Sequence, residues 1–368
     1  MRIKRGSVLL IAGLVASLVG CRADVAVDVR GLEGGPNVTW GPRYGELAVF
    51  YATDRAIESE EDGDVRYGPR RGRLSRGVCT VTIPPGHRVG ELALYPPDDP
   101  GRYIVARRTT RMNPDTFNAE LRAALSRPTA DGRPRGILVY LHGYNNSFVD
   151  VTRRAGQIAY DLGIDLVPVV YSWPSEAHPA KYTVDLNNAR WSQPQIVSFL
   201  RDLRLLAGDR PIHVLAHSMG AGLAGQVMLD LDRLRDPTDG PIVDQLILAA
   251  PDIDRDIFAR DLAGPMLRQS RRVTLYTASQ DRAMQVSSFL FGDYARAGDG
   301  EKEVLLIPGM DTVDVSMVNQ TIIGHLYYGD SREVLDDMFL VIRHDLPPTG
   351  RRLLSRGEAE GRYWVLRP

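Results

Sequence analysis

Ser218 stands in the run Val214-Leu215-Ala216-His217-Ser218-Met219-Gly220, with small residues two before it and two after it. Residues 210–215 are a short apolar run, the pattern of a buried parallel strand. From Gly220 onward, Leu223, Val227, Leu231 and Leu234 recur at helical spacing. A serine set between such a strand and such a helix matches the nucleophile elbow, with Ala216 in its first small position. Strand and helix backbones nearly touch in that turn, so a side chain larger than a methyl would clash. The serine takes a strained backbone there and exposes its Oγ at the sheet edge. The chemistry that suits it is attack on an acyl carbon, given a base within hydrogen-bond reach and a carboxylate to orient that base. The competing reading is a turn serine that caps a helix.

An elbow serine is followed in the chain first by the acid and then by the base. Of the seven histidines, His87, His142, His178 and His213 precede the serine, and His217 adjoins it on an extended strand end, where neighbouring side chains point apart. His344 ends a terminal helix. His325, in Gly324-His325-Leu326, is left as the candidate base; the alternative is a loop histidine with local hydrogen bonds. Asp281 follows the apolar run 272–277 and is the candidate acid, with Asp252 and Asp254 after the preceding strand as alternatives. An oxyanion hole needs backbone N–H groups aimed at the developing alkoxide. Met219 is expected to give one and Tyr144 the other, from the loop His142-Gly143-Tyr144-Asn145-Asn146. Gly143 lets that loop turn, His142 is expected to bond within it, and Trp173 is expected to line the pocket or fill the core.

These residues need a sheet with crossover helices, and the sequence alternates accordingly. Strands are expected at 136–141, 165–171, 210–215, 242–250, 272–277 and 303–307, and helices at 113–126, 148–162, 184–207, 220–234 and 331–345. Asn113 and Pro114 supply an N-cap and a first helical position. Before them come strands at 46–53, 77–83 and 103–110, a turn at Asp54-Arg55 and an exposed loop over 56–73. The expected class is α/β, a mostly parallel central sheet with helices on both faces and an antiparallel N-terminal strand region. The domain is expected over 43–346, its β-rich part at 43–112, with a tether at 21–42 and a basic tail at 347–368.

At the N-terminus a basic segment, Met1-Arg2-Ile3-Lys4-Arg5, precedes an apolar stretch over 8–19 and Leu18-Val19-Gly20-Cys21. The apolar stretch is too short for a comfortable span and has the flanks of a signal peptide. Its end resembles the bacterial lipoprotein cleavage box, which implies removal of residues 1–20 and lipidation of Cys21; a plain secretory signal or an uncleaved anchor are the alternatives. Arg22 in place of aspartate favours the outer membrane, with the protein facing the periplasm. Each buried acyl CH₂ adds roughly 0.8 kcal/mol, so several chains anchor a protein durably. Of the two cysteines, Cys79 is then left as a small buried side chain in a strand. With 45 Lys and Arg against 46 Asp and Glu, electrostatics imply neither a nucleic acid partner nor an anionic surface. The histidines lack paired ligand spacing, so no metal site is expected.

Taken together, Phe50 to Arg55, the loop His142 to Asn146, Tyr171-Ser172-Trp173-Pro174-Ser175, Ala216 to Gly220, Ala249-Ala250-Pro251-Asp252-Ile253-Asp254 and Gly324-His325 resemble the α/β-hydrolase superfamily. The resemblance is to a bacterial esterase/lipase-like lipoprotein group of unknown substrate. It implies a nucleophilic hydrolase without metal or organic cofactor and supplies no substrate; the expectation drawn from the triad itself is cleavage of a carboxylic ester, in an acyl-ester small molecule or lipid. Thioesterase, amidase or acyltransferase chemistry uses the same triad. A non-catalytic envelope lipoprotein that binds a lipid or partner is the alternative from another class.

Overall fold

The computed structural model describes residues 37–129, 131–236, 239–279, 287, 292, 294–300, 304–318, 326–357 and 361–368. Its strands are β1 (Val38–Trp40), β2 (Gly45–Glu61), β3 (Asp64–Ile83), β4 (Ala106–Met112), β5 (Gly136–Leu141), β6 (Leu166–Ser172), β7 (Ile212–His217), β8 (Val243–Ala249), β9 (Ser270–Thr277), β10 (Asp311–Asp314), β11 (Leu353–Arg356) and β12 (Tyr363–Leu366). The helices are α1 (Pro114–Ser126), α2 (Phe148–Asp161), α3 (Tyr182–Ala207), α4 (Met219–Arg233), the short α5 (Arg255–Ile257), α6 (Ala263–Gln269), α7 (Tyr327–Asp330) and α8 (Arg332–His344).

All described strands join one sheet in the order β11-β12-β10-β9-β8-β7-β5-β6-β2-β3-β4, with β1 on β2. From β12 to β2 the neighbours run parallel; β1, β3, β4 and β11 pair antiparallel. The central strands are buried on both faces, which is why β5 is a continuous apolar run and β7 is apolar apart from His213 and His217. One face packs Phe117, Phe199, Leu223 and Met266 from α1, α3, α4 and α6. The other packs Phe148, Ile158, Leu335 and Met338 from α2 and α8. This is the α/β architecture expected from the alternating pattern.

Helix ends follow their local chemistry. The Asn113 carboxamide accepts from Thr116 N–H at 2.9 Å, with Pro114 at the first helical position. Ser147 and Asp150 form a reciprocal capping box at the start of α2, at 3.1 Å in each direction. That box fixes where the loop after β5 ends.

Four expectations need correction. Residues 56–73 are the arms of the long β2–β3 hairpin, with register shifts near Arg55 and Ile57, and not a loop. A backbone ladder tolerates charged side chains wherever they reach solvent, so polarity concealed the strands. Asp54 and Arg55 lie inside β2 and are buried, so no turn occurs there. Of the run expected as a strand over 303–307, the described residues 304–307 are not a strand: Leu305 is buried in the core, Thr312 donates to its carbonyl at 3.0 Å, and the ladder next to β9 is β10. Finally, the segment expected as a basic tail carries β11 and β12, and β12 pairs with β10. Cys79 lies buried in β3, its thiol pushed up to about 11 by burial.

Candidate active site

β7 delivers Ser218 to the carboxyl edge of the parallel strands, and α4 begins at the next residue. Ser218 has φ 54° and ψ −124°, a conformation that costs a non-glycine residue about 1–3 kcal/mol and persists only when its surroundings enforce it. The enforcement is visible. Ser218 N–H donates to the Ala249 carbonyl at 2.9 Å, while its own carbonyl accepts from Ala221 N–H at 2.9 Å and Asp252 N–H at 3.2 Å. A Cβ on Gly220 would lie 2.3 Å from the His142 carbonyl oxygen, and one on Gly143 would lie 3.0 Å from Ser218 Cβ. The loop after β5 is thus pressed onto the elbow from the side. Ala216, fully buried, shows that a methyl fits in the first small position.

That loop is held by buried charges. Asn145, at φ 59°, donates its N–H to Asp185 Oδ2 at 3.0 Å, and Asn146 N–H donates to Ser175 Oγ at 3.0 Å. Ser175 Oγ in turn donates to Asp185 Oδ2 at 2.6 Å. The Arg55 guanidinium donates to Ser172 Oγ at 2.8 Å, to the Ser175 carbonyl at 3.0 Å and to the Asn146 carbonyl at 2.8 Å. Burial brings Arg55 down to about 10, opposed by the negative charge of Asp185, so it stays protonated at neutral pH. The N–H groups of Tyr144 and Met219 make no hydrogen bond among the described residues. Met219 N–H is one of the orphan donors that open every helix.

His142 is fully buried, stacks on Trp173 with centroids 4.4 Å apart, and contacts its neighbour's carbonyl, Gly143 O, through Nδ1 at 2.7 Å. Burial and the nearby Arg55 charge hold its pKa well below the usual histidine value, so it is neutral. Trp173 donates Nε1–H to the His142 carbonyl at 3.0 Å and has no exposed surface. It braces the loop from behind; the expectation that it lines the pocket is corrected to a place in the core.

Asp252 is buried beside the elbow and saturated with donors. Its carboxylate accepts from Tyr182 OH at 2.6 Å, Ser287 Oγ at 2.6 Å and Arg296 Nε at 2.8 Å. The Tyr182 ring also meets the Tyr144 ring edge-on at 5.2 Å, so one side chain spans the two loops around Ser218. Burial and the Asp252 charge raise the Tyr182 hydroxyl, which keeps its proton. Asp254 caps α5, accepting from Asp256 N–H at 2.9 Å and Ile257 N–H at 3.0 Å. Both alternative acids are thereby committed to other donors.

Asp281 and His325 lie outside the described residues, as does Cys21. Their described neighbours are anchored at the same sheet edge. Beyond β9, Ser279 donates its N–H to Ser316 Oγ at 2.8 Å. After residue 325, Tyr327 OH donates to the Tyr276 carbonyl at 3.0 Å, and Tyr328 stacks on His217 with centroids 4.1 Å apart.

Sequence reasoning overlooked Arg55, Asp185 and Tyr182 as supports of the site. An Asp-Arg pair closing an apolar strand was the available signal for Arg55. Asp185 and Tyr182 carried none, because they act from a helix start remote in sequence from the loops they hold.

No curated protein matches the chain. Among solved structures, one from a study of two fungal esterases of Rhizomucor miehei superposes on 88% of this chain and 87% of its own, at 13% identity and a TM-score of 0.32, too loose a likeness to carry an inference. The family described as "Alpha/beta hydrolase of unknown function (DUF900)" matches residues 116–343, from α1 to α8. With more than half of its length inside that match, the chain belongs to this α/β-hydrolase family.

Proposed function

We propose that the protein is a serine hydrolase that cleaves carboxylic esters through an acyl-enzyme at Ser218. The observation that carries this reading is the strained Ser218 at φ 54°, locked between β7 and α4, with the N–H groups of Met219 and Tyr144, unengaged among the described residues, on the segments that enclose it. In the proposed reaction His325 removes the Ser218 Oγ proton as Oγ bonds to the ester carbonyl carbon. The two N–H groups hold the resulting alkoxide, a contribution of about 3–4 kcal/mol each where such donors have been removed. Collapse breaks the bond to the alcohol oxygen, which takes the proton from His325. Water then attacks the acyl carbon with His325 again as base, releasing the acid and restoring Ser218. Asp281 orients the imidazole and stabilises its positive form. Since the base acts when neutral, activity rises with pH through the histidine pKa, about 6.5 if unperturbed.

We further propose that residues 1–20 are removed and that a lipid on Cys21 holds the domain at the cell envelope. No helix among the described residues is long and apolar enough to cross a membrane. The test is turnover of matched p-nitrophenyl ester, thioester and anilide substrates by the wild type and by Ser218→Ala, Asp281→Asn and His325→Ala. Ester cleavage that falls on the order of 10⁴-fold in Ser218→Ala and His325→Ala supports the reading. Unchanged cleavage in Ser218→Ala refutes it, and preference for another bond type moves the substrate class.

A further inference from the structure

Next to the elbow, α3 and α4 enclose a cavity of about 580 Å³, within the usual size of a small-molecule site. Its wall begins at Met219, the residue after Ser218, and continues along one face of α4 to Gln226. At 1.5 Å per residue that path is about 10 Å long. Leu186 and Ala189 of α3, Leu223 of α4 and Ile253 make the middle of the cavity apolar.

Its charged groups are mostly spoken for. Asp252 is bound by Tyr182, Ser287 and Arg296, and Asp254 caps α5. The Gln193 amide donates to Asp230 at 2.6 Å. Arg190 differs: it lines the cavity one helical turn beyond Leu186, and among the described residues no carboxylate or carbonyl engages it. A purely aliphatic chain laid along this cavity would end beside the guanidinium without giving it a partner. A chain ending in a carboxylate would fill the apolar middle and supply a charge-assisted, two-pronged hydrogen bond at the far end.

We propose that this cavity receives the acyl part of the substrate, and that the preferred acyl part is a medium-length linear chain with a terminal carboxylate, paired with Arg190. The inference rests on Ser218 as the nucleophile and deepens that reading by naming the substrate class. A half-ester of a dicarboxylic acid meets the description; hydrolysis gives the alcohol and a free dicarboxylate.

The experiment compares mono-p-nitrophenyl suberate with p-nitrophenyl octanoate on the full-length protein, in the wild type and in Arg190→Gln. The expected wild-type kcat/KM favours the suberate half-ester about tenfold, as one charge-assisted hydrogen bond near the surface would give. The preference shrinks as salt is raised and is lost in Arg190→Gln, whose exposed position leaves folding intact. Calorimetry of suberate dianion binding to Ser218→Ala reads the site without turnover, with binding expected there and lost in the double variant with Arg190→Gln. Arg190-dependent binding without turnover or Ser218 labelling by a fluorophosphonate upholds the cavity assignment and removes the nucleophile. Turnover with octanoate preferred, or a preference unmoved by Arg190→Gln, overturns the inference and leaves the nucleophile standing.

Discussion

α4 carries three glycines whose replacement by alanine separates the elbow from ordinary helix packing. At Gly220 the added Cβ would lie 2.3 Å from the His142 carbonyl oxygen and 2.6 Å from that of Leu141. Both are backbone atoms of the segment that carries Tyr144, and Arg55 and Asp185 pin that segment from the other side. Nothing can rotate away, so the loop itself must move. At Gly222 the nearest atom is the Asp252 carbonyl oxygen at 3.3 Å, a contact that a few tenths of an ångström relieves. At Gly225 the contacts are Met266 Cε at 2.5 Å and Leu262 Cδ1 at 2.9 Å, the ends of flexible side chains. Alanine is better than glycine in a helix by about 1 kcal/mol, and overpacking costs about 1–3 kcal/mol. Gly222→Ala is therefore expected to be neutral or slightly stabilising, and Gly225→Ala within about 1 kcal/mol of wild type. Gly220→Ala should lose about 2 kcal/mol and, by displacing an oxyanion donor, slow Ser218 acylation on the order of 10²-fold. Urea midpoints and fluorophosphonate labelling rates measure the two quantities. Equal labelling in Gly220→Ala and Gly222→Ala would refute the claim that the loop after β5 is pressed onto the nucleophile.

Other perturbations address the supports and the buried titrating groups. Arg55→Met strands the Ser172, Ser175 and Asn146 acceptors beside an unbalanced Asp185, and should cost about 3–5 kcal/mol in denaturant melts; a loss below 1 kcal/mol would contradict its role. Tyr182→Phe should cut kcat several-fold with KM little changed, because it frees Tyr144 from Asp252 without opening the cavity; a pure KM effect would count against it. Burial raises Asp54 to about 6, with the Ser192 and Tyr171 hydroxyls beside it, so the native state holds a proton the unfolded chain has lost and stability falls as pH rises from about 4 to 6. The same burial lowers His213 to about 4, so stability rises with pH from about 4 to 6.5. Each shift amounts to about 3 kcal/mol, and the two nearly cancel between pH 4 and 6. Asp54→Asn should stabilise the protein at pH 8 relative to pH 4 and His213→Asn should do the reverse, in melts at both pH values; parallel curves would show that neither group titrates as described.

The parallel core was legible because it is buried on both faces: the apolar runs expected at 136–141 and 210–215, bracketed by Gly, Pro and helical periods, coincide with β5 and most of β7. The serine turn was legible for a related reason, since Ala216 is fully buried and no Cβ fits at 220 without moving backbone. The hairpin arms over 56–73 escaped because Arg66, Arg70 and Arg71 reach solvent, leaving the backbone pairing as the sole reason for a strand. β12 escaped because a four-residue strand next to basic residues looks like a tail until β10 and β11 are there to pair with it. The supports Asp185 and Tyr182 were invisible for a different reason. Their partners, Asn145 and Asp252, lie 40 and 70 residues away in the chain, and only the folded sheet brings them together. Asp252 and Asp254 could be weighed as acids from sequence order alone, and only geometry showed what already occupies them.

The most direct measurement of the central claim is active-site labelling with a fluorophosphonate, followed by intact-mass and peptide mapping of the full-length protein. One adduct is expected, on Ser218, abolished in Ser218→Ala and slowed in His325→Ala. A protein that takes no label, or takes it on a residue other than Ser218, would contradict it.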